Sequence, residues 1–249
     1  TIGSLINATT KKLIIPAGKG LIVNNSITTD GDVNRILIKS SSTLPNGSLI
    51  FNNPLAFPVK GTVEMYTKAF IDNTQTTNNG KFKWQYFGIP ITSVRADPTF
   101  YGSYVREWYE PGDTINTHWL SLNNSSILHP FNGYEICQAA PKTIVFEGQL
   151  INSNYSSGKL PYSNTAMNTS RGNMVLANSY TSALDIRQLE FGPQTEPTVY
   201  LYNTGSFNDW INTSGGTTSI NDSALITPGQ YIAIPKSLAG MGKLPRQVP

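Results

Sequence analysis

Glu107 and Glu110 in the run REWYEPGD, with Asp113 just beyond, are the nearest this sequence comes to a paired acid and base. Glycoside hydrolysis needs two carboxyl groups facing each other across a cleft. On an extended strand, side chains three residues apart point to opposite faces, so this spacing argues against a dyad. His118, beside Trp119, and His129, before Pro130, are the only histidines, and neither stands in the H-x-x-x-H type of pair that converges on zinc. Cys137, in GYEIC, is the single cysteine; it permits no intrachain disulfide and no Cys-based zinc site, and with no His partner nearby in sequence it reads as a buried, inert thiol. No G-x-S-x-G elbow marks a nucleophilic serine. Asp30-Gly31-Asp32, followed by Asn34, offers oxygen ligands of the kind calcium takes, without the later bidentate glutamate of an EF-hand. A plain Asp/Gly turn is the simpler reading, and calcium near Asp30 and Asp32 stays open. The chemistry therefore implies no catalytic residue, no metal site and no cofactor.

Aromatic side chains are the remaining signal. Trp108, Tyr109, Trp119 and Trp210 lie in or beside loops among polar residues, where flat rings on a rigid β framework can stack on sugar faces or bury themselves in a partner. The alternative is that they close the ends of the core. They are the candidate ligand-binding residues.

The elements that must position them are strands. Charged residues make up 13% of the 249, about half the roughly 25% of an ordinary soluble domain. Asn, Ser, Thr, Gly and Tyr fill the gap, which suits turns and strand faces better than helices. Eighteen basic residues against fifteen acidic give a formal charge of +3, scattered rather than gathered in a stripe, so nucleic-acid binding is excluded as a leading reading. No run approaches the ~20 apolar residues of a membrane span.

Residues 1–60 alternate short apolar runs (LIIP, LIV, RILI, SLIF) with Gly and Asp breaks, and predict a lead-in of short meander strands or β-helix-like rungs. The prolines at Pro54 and Pro58 set a boundary near residue 60. From 61 to 249 the runs are longer and more aromatic: TVEMYTKAFI, FKWQYFGIPI, YVREWYE, GYEICQ, KTIVFEGQLI, NMVLANSYT, PTVYLYNTG and GQYIAIP. They predict an all-β fold, a β-sandwich or jelly-roll-like domain. An internal echo runs through it. WQYFGIPI, YVREWYE, Trp119 and GYEICQ form one series, and MVLANSY, TVYLYN, Trp210 and GQYIAIP a second. Two sheets of related construction would explain that order.

The stretches GNMVLANSYTSALD (172–185), TVYLYNTGSFNDW (198–210) and PGQYIAIP (228–235), with KWQYFGIPI and FNGYEICQAAPKTIVFEGQL upstream, resemble a module common in large secreted and surface proteins of Bacteroidetes, many of them type IX secretion cargo. Ala177 and Ser179 depart from that pattern, which usually has Gly and Pro there. The resemblance implies export and a cell-surface or extracellular setting, and the triplets Asp113-Thr114-Ile115 and Asp222-Ser223-Ala224 match the O-glycosylation pattern of such proteins. It also implies that the native polypeptide continues past Pro249 into one further strand. The expected function is adhesion or scaffolding within a larger exported protein, with glycans or other surface proteins as partners. The runner-up is a carbohydrate-binding module of a polysaccharide-degrading system, and the third reading is a loop-based glycoside hydrolase. Ligand and oligomeric state are not legible.

Overall fold

The computed structural model describes residues 1–6, 11–53, 58–76, 78–111, 118–163, 172–185, 189–191, 195, 198–201, 217–219, 225–226, 231–234 and 241–244. Trp210, the triplets at 113–115 and 222–224 and the tail after Leu244 lie outside them. The described residues are almost entirely β, as the strand-length apolar runs require.

The lead-in is a stack of parallel rungs rather than a meander. Leu13–Ile15 pairs in parallel with Ile36–Ile38, and Leu37 and Ile38 pair in parallel with Thr62 and Val63. Gly20–Val23 lies parallel to Ser48–Phe51, and Leu5–Ile6 to Ile27–Thr28. Parallel pairing of segments joined by long crossovers is the β-helix alternative of the sequence reading. Rungs this close demand glycine at a corner: a Cβ on Gly47 would sit 2.6 Å from the carbonyl oxygen of Ile15.

The long strand Lys60–Thr67 joins the lead-in to the body. One side takes the parallel rung; the other pairs antiparallel along its whole length with Lys142–Gln149. One apolar cluster runs across this seam, from Ile15, Ile36 and Leu49 to Phe87, Tyr134, Phe146 and Leu150. Pro58 therefore precedes the long strand without interrupting the core.

The internal echo is visible in the topology. A first antiparallel sheet has the order Gln85–Phe87, Tyr134–Gln138, Ser103–Trp108, Trp119–Ser121. A second has the order Met174–Ala177, Tyr231–Ile234, Thr198–Leu201, Thr217–Ser219. Each carries the same minor pair, Val94 opposite Leu128 in the first and Leu184 opposite Ile226 in the second. Each is also accompanied by an antiparallel pair between the strand before it and the strand after it: Lys60–Thr67 with Lys142–Gln149, then Tyr155–Lys159 with Met241–Leu244. Two successive units thus share one strand order.

The units meet at Phe131-Asn132-Gly133, where the Gly133 amide donates to Val175 O and the Ala177 amide donates to Phe131 O. Asn132 and Leu176 form a bridge there. Phe131 adopts φ 66°, a region a bulky residue rarely occupies. Its buried amide donates to Ser179 Oγ at 2.7 Å, and its ring stacks on Tyr155 at 4.0 Å. Packing on both sides holds a backbone conformation that the sequence does not favour by itself.

Candidate functional site

Strand alternation and the registers of the first sheet assign its two faces. Phe87, Tyr134, Ile136 and Val105 belong to the core side. Across the opposite face Tyr86 aligns with Glu135 and Arg106, Trp108 with Trp119, and Tyr104 with Cys137. That face carries an aromatic layer. Tyr86 and Trp108 each approach Trp119 at 5.2 Å, and Trp108 stacks on His118 at 4.7 Å. Trp84 lies under the Arg106 guanidinium at 3.9 Å, with Phe82 stacked beside it at 5.8 Å.

At the centre of the layer Arg106 forms an ion pair with Glu135, whose side chain is 2% exposed. Burial pushes the Glu135 carboxyl up to about 8, against the opposing pull of Arg106. Next to it on the same strand, burial raises the Cys137 thiol to about 11, and its Sγ donates to Phe70 O. A thiol shifted in that direction is not an activated nucleophile.

The structure brings Trp108 and Trp119 together and places them against the second unit. Both pack partly buried on Tyr86, Val175 and Ala177, and the Trp108 indole N–H donates to Asn173 O at 2.8 Å. Tyr109 is 46% exposed. Its amide donates to His118 O, and its carbonyl accepts from His118 Nδ1 at 2.9 Å, which fixes the ring as the Nδ1–H form. His118 is fully buried, whereas His129 is exposed. Phe82, Trp84, Tyr86, Arg106 and Glu135 are the members of the layer that sequence reasoning missed. Their signal was the i, i+2 alternation within FKWQY, VREW and YEIC, which acquires meaning only once the strand registers are known.

Asp113 lies outside the described residues; the other carboxylates considered for chemistry each have a structural partner. Glu107 Oε1 accepts from Asn132 Nδ2 at 2.9 Å. Glu110, beyond the end of the strand and 1% exposed, accepts through Oε1 from the amides of Ser163 and Gly172 and from Ser163 Oγ. Asp30 Oδ2 takes a forked pair of donors from Arg35, Nε at 2.8 Å and Nη2 at 2.7 Å, and this contact holds its carboxyl below the usual range. Asp32 caps the short turn Val33–Arg35 by accepting from the Asn34 amide. The loop that could have offered oxygens to calcium thus already contains a cation, Arg35. Among the described residues no group of three or more His, Cys, Asp or Glu side chains converges.

No family model and no solved structure matches the chain. A curated protein does. Over 265 aligned residues that include the whole chain, it is 33% identical to the minor fimbrium subunit Mfa5 of Porphyromonas gingivalis. The chain is similar to one segment of a fimbrial subunit. It spans 20% of that relative's length. The similarity supports a Bacteroidetes surface protein and places the chain at the cell surface or outside the cell. Among the described residues no helix is long and apolar enough to cross a membrane.

Proposed function

We propose that the chain is a non-catalytic structural and adhesive module of a fimbrial-type surface protein, holding its place in an assembly through contacts with other surface proteins. The observation that carries this reading is the identity with a fimbrium subunit along the entire chain. The architecture supports it. Parallel rungs run into duplicated antiparallel units, and the carboxylates that come closest to a catalytic pair are taken up by backbone and side-chain donors. Export by the type IX route belongs to the same proposal, and a strain lacking that system should retain the protein inside the envelope. To test the main reading, antibodies raised against the purified chain are applied to intact cells and to sheared appendages. Label on the appendages is expected; label confined to soluble secreted fractions would refute assembly.

A further inference from the structure

Only part of the aromatic layer is covered. Tyr86, Trp108 and Trp119 lie under Val175 and Ala177 of the second unit. On the same face, toward Phe82, Trp84 and Tyr104, Tyr104 remains 59% exposed, and Tyr101 in the turn leading into its strand is 80% exposed. Phe82 meets Tyr104 edge-on at 6.0 Å and stacks on Trp84, and the Arg106 guanidinium joins this uncovered part to the covered part, lying 3.9 Å from the Trp84 ring and 6.0 Å from that of Trp119. Its central cation, Arg106, is tied down between the buried Glu135 carboxyl and the Trp84 ring. Polar groups sit beside it: Lys142 Nζ donates to Tyr101 O, and Lys83 lies 4.0 Å from Asp72. An aromatic centre with the other charges kept to the rim is the anatomy of a protein interface.

We propose that this uncovered surface is where a second copy of the chain docks, each copy presenting Phe82, Trp84 and Tyr104 to the other. Continuity with the contact between units is the first argument, since the same layer already serves as a packing surface inside the chain. The second is the occupation of the rings. Trp84 carries the Arg106 guanidinium over its face and Phe82 stacked beside it, so the open ring faces that saccharide stacking uses are largely taken. A patch whose aromatic rings lie around one tied-down cation can meet its own copy about a two-fold axis, ring against ring. The inference rests on the reading of the chain as an assembly module and names one partner for it.

Sedimentation equilibrium of the full chain over a wide concentration series, run beside Tyr104→Arg and Tyr109→Arg, tests the proposal. A reversible dimer is expected. In a two-fold contact Tyr104→Arg opposes two like charges and should weaken the dimer by about tenfold or more, with an unchanged melting temperature because the side chain is exposed. Tyr109→Arg should leave the dimer intact. A chain that stays monomeric throughout, or a dimer that survives Tyr104→Arg, overturns the proposal. So does a monomeric chain whose binding on a glycan array disappears with Tyr104→Arg, which would make the surface a saccharide platform. Appendage labelling is a separate measurement, so failure here leaves the assembly reading standing.

Discussion

The two units share a strand order and differ in what fills them. In the first, Phe87, Phe100, Tyr134 and Phe146 interlock at centroid distances of 5.4 to 6.0 Å and continue into the aliphatic rungs of the lead-in. In the second, the described core is a smaller cluster around Leu176, Tyr180, Leu184 and Leu189, and it borrows Phe131 from the first unit and Ile151 from the segment between the units. At matching registers Phe87 of the first sheet becomes Ala177 of the second, since Phe87 pairs with Tyr134 and Ala177 with Tyr231. The small residue is what lets the second unit come close: Gly88 faces Ala177 where an added Cβ would collide. The first unit carries its own core, and the second is shaped to lean on it.

That asymmetry puts the largest effect in the first unit. Phe146→Ala removes a fully buried ring at the seam between lead-in and body and should cost about 3–5 kcal/mol, lowering a single melting transition seen by both circular dichroism and tyrosine fluorescence. Leu184→Ala, equally buried in the second unit, should cost about 2–5 kcal/mol. If the second unit depends on the first, Leu184→Ala exposes an early partial transition, and Phe146→Ala never does. Two independent transitions in the unmodified chain would break the comparison.

The junction comes next. A Cβ on Gly133 would overlap the Val175 side chain and carbonyl. Gly133→Ala should therefore cost about 1–3 kcal/mol and lower protection of the Val175 to Ala177 amides in hydrogen exchange more than that of the Lys60–Thr67 amides. Equal loss at both places would mean that the junction is not a distinct unit of stability.

Much of this architecture was legible in the sequence because strands declare themselves through short β-branched and aromatic runs. The rungs at Leu13, Gly20, Ile36 and Ser48, and the long strands at Lys60 and Lys142, fall on the apolar runs that predicted them. TVEMYTKAFI splits into Lys60–Thr67 and Phe70–Ile71, because the buried Gln138 amide donates to Ala69 O and the Gln85 side chain accepts from the Lys68 amide, drawing that backbone out of the ladder. Tyr155–Lys159 and Thr217–Ser219 escaped notice because edge strands with polar sequences lack the alternation that half-burial imposes, and Trp119–Ser121 because three residues are too few to show it. The aromatic layer was only half legible: Trp108 and Trp119 were visible as tryptophans, but their pairing with Tyr86 and Arg106 depends on register, which a single sequence does not encode locally.

The centre of that layer makes a pH prediction. The folded-state pKa of Glu135, about 8, stands above its ordinary value, so between about 4.5 and 8 the folded chain binds more protons than the unfolded one. Stability contributed by this group is therefore present at low pH and is lost as pH rises through that window, by at most about 1.4 kcal/mol per unit. Glu135→Gln should flatten the slope of melting temperature against pH between 5 and 8. An unchanged slope would mean that Arg106 keeps the carboxylate ionised throughout.

The smallest effects belong to the two tryptophans of the layer, and Trp108 bears most directly on whether that layer holds units together or holds a ligand. Trp108→Phe keeps an aromatic ring where His118 and Trp119 pack, and removes only the indole N–H that donates to Asn173 O. That carbonyl, at the entrance to the strand Met174–Ala177, then loses a donor at the edge of the contact between units. The cost should be about 1 kcal/mol, read as a modest fall in melting temperature with faster exchange of the Met174 to Ala177 amides. Trp119→Phe, which breaks no hydrogen bond observed at that ring, should cost less at this junction. If Trp108→Phe leaves stability and exchange unchanged yet abolishes binding to cells or glycans, Trp108 serves a ligand and the contact between units does not depend on it; a fall in stability with binding intact assigns it to the junction.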